Sequence, residues 1–320
     1  MWIFEPILKT HLWGGEKIIS YKGLSSIQSS VGECWELSGV EGSESVVAQG
    51  VDKGLTLPQL LDKYKSGILG NKNYNKYGNR FPILVKFIDA AENLSVQVHP
   101  DDETAQRKGE RMGKTEMWYV LESEEGAQVA SGFRSAVDPE HYHGLVESGD
   151  IVDTLNYINI SRGDAFFIPA GRVHTICKGA FIVEIQQNSD VTYRLYDYKR
   201  KDKNGKERTL HVEEALEAIN FNDMDGKSVD YSRNVDVPVN LVNSPFFNVN
   251  LWHIKNEVTR DYSEWDTFVI IVCTEGSAEL CSGGESMLIK KGMTVLIPAS
   301  AKGLTVIPNE EFEALETYIK

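Results

Sequence analysis

No apolar run in this 320-residue chain approaches the ~18–20 residues that span a bilayer, which excludes a helical membrane protein. The opening MWIFEPILKT carries no basic leader, long apolar core or small-residue cleavage site, so no secretory signal is expected there. Cysteine is scarce: Cys34, Cys177, Cys273 and Cys281 form neither a CxxC pair nor a dense framework. Free thiols in a reducing cytoplasm are the simplest expectation. Basic residues are also short, 33 against 47 acidic ones, leaving a net charge of −14. Such a surface repels nucleic-acid phosphates and anionic lipid, and sets both aside as partners. A small anionic substrate remains open, because it needs only a few cationic groups inside a pocket. With 41% hydrophobic and 25% charged residues, the chain reads as an ordinary globular protein. Its length suggests more than one domain, or one large β-rich domain.

What the sequence does have is short runs of β-branched and aromatic residues punctuated by glycine: SVVAQG, PILVKFI, EMWYVL, AFFIPAG, AFIVEIQQ, FVIIVC and TVLIPAS. Three segments look helical. TLPQLLDKYK (56–65) has Thr56 as a cap and Pro58 in the first turn. DPEHYHGLVES (138–148) has Asp138 before Pro139, and HVEEALEAI (211–219) places apolar residues at helical spacing. The pattern predicts a mainly β protein with small helical insertions. One repeat bears on the architecture. GDAFFIPAGRVH (163–174) and GMTVLIPASAKG (292–303) share a glycine, five residues ending in Ile, then proline. Two related β-barrels follow, of which only the first keeps its polar residues.

The first copy, G-x5-P-x-G-x2-H, resembles the second signature of the cupin barrel, a jelly-roll. Gly163 and Gly171 permit tight turns, Pro169 stiffens the approach and His174 starts a strand facing inward. Cupins pair this histidine with ligands from an earlier strand pair, where LSVQVHP (94–100) and GKTEMWYVL lie. Gln97 and His99 are two apart and so project from one face of a strand. With Glu116 and His174 they make a mixed N/O set that suits Zn²⁺, one per chain, or another divalent ion such as Mn²⁺, Fe²⁺ or Co²⁺.

LSVQVHP, GKTEMWY, the His174 strand and NSDVTYRLYDY (188–198), with HLWGG (11–15) and GECWELS (32–38), together resemble type I mannose-6-phosphate isomerase in its short bacterial form. The resemblance spans roughly the first two-thirds of the chain. It implies a catalytic cupin domain over about 1–240, with helical insertions near 52–78 and 138–150, and a degenerate C-terminal cupin over 241–320. It also implies a metal-dependent interconversion of mannose 6-phosphate and fructose 6-phosphate through an enediol(ate), with a sugar phosphate as the partner molecule. Gln97, His99, Glu116 and His174 match the family's metal ligands, and Arg194 its catalytic arginine. Lys114 and Lys86 match positions near the substrate, with Lys114 on the Glu116 strand face if that strand reaches back. Glu184 and Asp190 are acidic candidates.

Each residue also has a plainer reading. Lys86 could snorkel to a barrel rim, Asp190 could cap the NSD turn, and Arg194 could form a surface pair with Asp197. His141 and His143, two apart on a helix, cannot converge on one ion. His11, His211 and His253 receive no role. The tract YKRKDKNGKER (198–208) reads as a solvated hairpin with an Asn-Gly turn, with a part in substrate capture left open. Two other functions compete: a non-catalytic sugar-binding cupin, and a cupin dioxygenase, which Gln97 in a histidine position disfavours. A monomer or homodimer is expected.

Overall fold

The structure is a computed structural model and describes residues 1–25, 28–202 and 204–320. The strands of the first half are β1 (Ile7–Gly15), β2 (Val31–Leu37), β3 (Ile83–Asp89), β4 (Val96–Val98), β5 (Glu116–Ser123), β6 (Gln128–Phe133), β7 (Leu155–Asn159), β8 (Ala165–Ile168), β9 (His174–Ile176), β10 (Ala180–Gln187) and β11 (Tyr193–Tyr196). The second half contributes β12 (Val239–Asn243), β13 (Asn248–Ile254), β14 (Val258–Asp261), β15 (Val269–Glu275), β16 (Ser277–Ser282), β17 (Glu285–Lys290), β18 (Thr294–Ile297), β19 (Gly303–Pro308) and β20 (Phe312–Tyr318).

These strands form four antiparallel sheets. Two are drawn from the first half, in the orders β1-β2-β3-β10-β5-β8 and β11-β4-β9-β6-β7. Two come from the second half, β12-β13-β20-β15-β18 and β14-β19-β16-β17. Remove β1 and β11, and the first pair reproduces the second strand for strand, with β3 answering to β13 and β10 to β20. The short repeat seen in the sequence is thus the visible part of a repeated sheet topology.

Alternation explains how the layers stack. In β3, Ile83, Val85 and Phe87 point to one face and Lys86 and Ile88 to the other. The odd-numbered set joins Phe181, Val183 and Ile185 of β10 in one core with Val249, Leu251, Ile270, Val272 and Leu315 of the second half. The two halves therefore share an apolar seam back to back. The opposite face of the six-stranded sheet looks into the first half's own interior, where Trp118, Ile88, Ile182 and Phe166 cluster. The outer face of the five-stranded sheet carrying β11 buries Val96, Val98 and Leu195 with Tyr142 and Ala215 from two short helices.

The three expected helical segments form, and short helices at Lys17–Tyr21 and Asp102–Arg107 form where none was expected. Leu57–Tyr64 is helical, with Thr56 and Gln59 forming a reciprocal capping box, and two further short helices follow at Ser66–Leu69 and Asn71–Tyr77. Asp138 Oδ1 accepts from the Glu140 N–H (3.0 Å), starting a 3₁₀ turn that passes into a helix at Tyr142–Ser148. Val212–Ala218 is the third expected helix. Gly163 (φ +88°) and Gly171 (φ +86°) both take the left-handed conformation required by the turns around Pro169.

Some expectations change. SVVAQG is not a strand; only isolated bridges at Val46 and Val47 form there. LSVQVHP is paired only from Val96 to Val98, so His99 lies just beyond the strand. Similarly, β5 begins at Glu116, leaving Lys114 in the approach to it. In the basic tract, Lys201 bridges Glu207, and Asp202 Oδ1 accepts from the Asn204 and Lys206 N–H groups at 2.8 and 2.9 Å. The expected turn forms at Gly205 (φ +78°); Lys203 lies outside the described residues. Among the described residues no helix is long and apolar enough to cross a membrane.

Candidate metal centre

Strand register assembles the site. Arg194 on β11 lies opposite Gln97 on β4, which lies opposite His174 on β9, and His174 lies opposite Ser131 on β6. Directly opposed residues of antiparallel strands point to the same side, so these four form a row across one inner face. On the facing sheet, Lys86 of β3, Glu184 of β10 and Trp118 of β5 form a second row, with Gln186 opposite Glu116 one step along.

The two rows meet around Glu116. His99 Nε2 is 3.4 Å from Glu116 Oε2, and His174 Nε2 is 3.3 Å from Glu116 Oε1. One donor atom from each of the three residues falls within 4.8 Å of the others, and all three residues are buried. The tautomers follow from the partners. His99 Nδ1 lies 2.8 Å from the Val191 carbonyl and His174 Nδ1 lies 2.8 Å from the Arg172 carbonyl. A carbonyl only accepts, so each Nδ1 carries the proton and each Nε2 presents a lone pair to the cluster. Burial, reinforced by the Lys114 ammonium, pushes the His99 pKa down to about 3; burial likewise lowers His174. Both imidazoles are neutral at physiological pH, the form that ligates metals.

Burial by itself would raise the Glu116 pKa, but Lys114, His99 and His174 outweigh it and hold the carboxyl well below its ordinary range. Lys114 Nζ lies 2.8 Å from Glu116 Oε2 and 2.9 Å from His99 Nε2. Trp118 Nε1 donates to both Glu116 Oε1 (3.1 Å) and Glu184 Oε2 (3.2 Å). Glu184 is pushed above its ordinary range by burial and by the charge of Glu116, with Lys114 and Lys86 pulling the other way. Lys86 does not reach a rim: it is 4% exposed, with Nζ 3.2 Å from Glu184 Oε1 and 3.9 Å from Glu33 Oε1. Burial works against its charge, yet Glu33 and Glu184 raise its pKa above the ordinary lysine value.

Arg194 sits at the edge of this interior. Its Nη1 donates to the Thr209 carbonyl (2.9 Å), its backbone N–H to His211 Nδ1 (3.2 Å), and its Nε is buried without a partner. The surface pair with Asp197, the plainer alternative for Arg194, is not formed. Asp197 is taken instead by Arg200 and by Arg208, whose Nε lies 2.7 Å from Oδ2. Asp190 is exposed, apart from the buried group. His141 and His143 are solvent-facing, beside Asp138 and Glu213.

The donor set fits a divalent ion. Two Nε2 lone pairs and a carboxylate converge, and Glu116 Oε2 is buried with an ion-pair contact but no directed hydrogen bond. Lys114 Nζ lies against two of these donors, Glu116 Oε2 and His99 Nε2, so a divalent ion held by Glu116 and His99 would compete with the ammonium for them. The Gln97 Nε2 lies 3.2 Å from His174 Nε2 and donates to it; the reversed amide would turn its oxygen to the cluster instead.

A jelly-roll sheet pair with two neutral imidazoles and a carboxylate converging on one another is a cupin-type arrangement that could hold a metal ion. The family model for the phosphomannose isomerase type I catalytic domain matches residues 2–144, and that for the mannose-6-phosphate isomerase cupin domain matches 239–311. The chain is 34% identical over 298 residues to mannose-6-phosphate isomerase ManA of Bacillus subtilis, 92% of each protein. It is 33% identical over 297 residues to mannose-6-phosphate isomerase of Streptococcus mutans, 91% of this chain and 90% of that one. The crystal structure of the mannose 6-phosphate isomerase from Bacillus subtilis matches with a TM-score of 0.89 at 33% identity, over 99% of both chains. A mutant phosphomannose isomerase from Salmonella typhimurium, 15% identical, shares the fold with a TM-score of 0.82 over 100% of this chain and 99% of that one. The chain belongs to the type I mannose-6-phosphate isomerase family.

Several neighbours of the cluster escaped the sequence reading. Glu33 and Trp35 of GECWELS flank Lys86, and Trp35 Nε1 donates to Glu33 Oε2 (2.7 Å). His11 stacks on Trp13 with its Nε2 3.7 Å from Glu33 Oε2. Glu33 was findable by the test that singled out Lys86, a charge at a strand position. His211, a side-chain acceptor for a backbone group 17 residues away, left no such signal.

Proposed function

We propose that this enzyme interconverts D-mannose 6-phosphate and D-fructose 6-phosphate, with Gln97, His99, Glu116 and His174 holding one divalent ion, zinc. The observation that carries the reading is the convergence of two Nε2 lone pairs on Glu116 beside the Lys114 ammonium, in a chain of this family. A bound divalent ion supplies polarisation and orientation of the sugar oxygens.

The chain's own groups do the rest. Isomerisation moves a proton between C1 and C2 and leaves charge on an oxygen in the enediolate. Lys114, beside Glu116, donates to that developing charge, and Arg194, permanently cationic with a free Nε, faces the enediolate or the phosphate. Lys86 and Glu184, paired at 3.2 Å, offer a donor and an acceptor to substrate hydroxyls, and Asp190 marks the outer edge of substrate contact. We further assign the catalytic unit to residues 1–240, including the insertions near 52–78 and 138–150, and a degenerate cupin to 241–320. The repeated sheet order and the family match over 239–311 support that division. A cytoplasmic location fits four unpaired cysteines, and we take the chain to act as a monomer or homodimer.

A coupled assay for fructose 6-phosphate, before and after chelation and with Zn²⁺ restored, tests this. Turnover is expected to vanish on chelation and return with zinc. Turnover that survives complete metal removal overturns the mechanism, and a folded, zinc-loaded protein without turnover leaves a sugar-binding cupin.

A further inference from the structure

Gln186 is a fully buried amide on the metal face of β10, opposite Glu116. Its Nε2 donates to two backbone carbonyls, Gln187 O at 2.7 Å and Ser189 O at 2.5 Å. Its Oε1 is buried without a partner. This orientation is dictated by the chemistry, because the reversed amide would set its oxygen against two carbonyl oxygens. The arrangement is costly: a buried acceptor left unpaired costs roughly 1–3 kcal/mol. A methionine or leucine would fill the same space without that cost. The position therefore serves its two donors, and what they hold identifies the purpose.

They hold a tight turn. Gln187 O also accepts from the Ser189 N–H (2.7 Å), and Ser189 Oγ accepts from the Val191 N–H (3.4 Å). Val191 then offers its carbonyl to His99 Nδ1 at 2.8 Å. An unbroken series of contacts runs from the Gln186 amide, through residues 187–191, to the atom that sets the His99 tautomer and ring direction. His99 needs such support more than His174. His174 opens a strand and is braced by Arg172, two residues away in the chain, whereas His99 lies past the end of β4.

We propose that Gln186 is a positioning residue for the metal centre. It anchors the 187–191 turn so that the Val191 carbonyl holds the His99 Nε2 lone pair on the ion. The inference rests on His99 being a ligand, as argued above. Loss of an outer partner that orients a ligating histidine lowers metal affinity by about 10–100-fold, and Gln186→Met is expected to fall in that range.

The measurement is zinc affinity of the intact protein by competition with a chromophoric chelator, which needs no turnover. Wild type, His99→Ala, Gln186→Met and Ser189→Ala are compared, with folding checked by circular dichroism. Ser189→Ala removes only the hydroxyl that accepts from the Val191 N–H, one link of the tether, and is expected to weaken zinc in the same direction by less. Turnover gives the second readout: at saturating zinc, Gln186→Met is expected to recover most of its kcat with KM for the sugar phosphate little changed. If Gln186→Met and Ser189→Ala both hold zinc as wild type does while His99→Ala does not, the positioning role is wrong and the ligand set stands. If His99→Ala also binds as wild type does, the ligand set itself is wrong. Should Gln186→Met fail to fold, Ser189→Ala decides: wild-type zinc affinity there overturns the proposal.

Discussion

Replacing Lys86 by methionine gives the most informative perturbation of the buried charge network. The ammonium lies 3.2 Å from Glu184 Oε1 and 3.9 Å from Glu33 Oε1, with almost no access to water. Methionine fills the same volume, so little packing is lost and the change is electrostatic. Removing one partner of a buried pair leaves an uncompensated charge, at a cost of ~3–5 kcal/mol. Part of that cost is relieved when Glu184 takes up a proton, because burial and Glu116 already raise its pKa. Protonation gives the variant a pH signature. A carboxyl whose folded pKa exceeds its unfolded value of ~4.3 binds protons more tightly in the native state. Its contribution is then present at low pH and lost as pH rises towards the folded value, with a slope of up to ~1.4 kcal/mol per pH unit for one proton. Urea unfolding followed by tryptophan fluorescence, with Trp118 beside Glu184, is the assay. Lys86→Met is expected to be least destabilised near pH 4 and progressively worse towards neutrality. Adding Glu184→Gln is expected to recover most of the loss and flatten the slope. A loss below ~1 kcal/mol that does not vary with pH would refute the buried pairing and return Lys86 to a solvated position.

Arg194→Ala is expected to lower kcat by about 10²–10³ with zinc content unchanged, since it removes charge stabilisation and no ligand; near-normal kcat removes Arg194 from the catalytic groups. Gln97→Ala is expected to weaken zinc less than His99→Ala, because a neutral amide oxygen is the poorer donor, and the same chelator competition measures both. At Asp197, burial alone would raise the pKa, but hydrogen bonds from Arg208 and Arg200 win and lower it. Its stabilising contribution is thus present above the unfolded value of ~3.9 and lost as pH falls. The deficit of Asp197→Asn in urea is therefore expected to be ~1.5–3 kcal/mol at pH 7 and to shrink on acidification. A deficit that grows in acid would contradict the pairing. Burial raises the thiol pKa of Cys34 and Cys273 and pushes Cys177 up to about 12, so only Cys281 is expected to react with a thiol reagent in the native protein. Four fast-reacting thiols would show that the core opens.

The sequence by itself determined the β architecture, three of the helix starts and several of the buried polar residues, among them Lys86, His99, Lys114, Glu116, His174 and Glu184. Those depend on local chemistry: alternation in PILVKFI, the capping box from Thr56 to Gln59, left-handed glycines around Pro169. The repeated glycine-to-proline spacing exposed the doubling of the fold because each copy must make the same turn, strand and turn. Where the reading depended on strand extent it slipped, as with Val96–Val98, since pairing stops when the neighbouring strand ends and that neighbour is distant in the chain. Tertiary structure alone decided who faces whom. Asp197 is near Arg194 in the chain, yet Arg200 and Arg208 take it, leaving the Arg194 Nε free. Gln186 looks like ordinary strand filler until its register places it opposite Glu116 and its donors reach the turn that holds His99. A sequence records which donors and acceptors exist. Their directions, and the lone pairs left over once every carbonyl has accepted its hydrogen bond, are set only when sheets from distant segments close on one another.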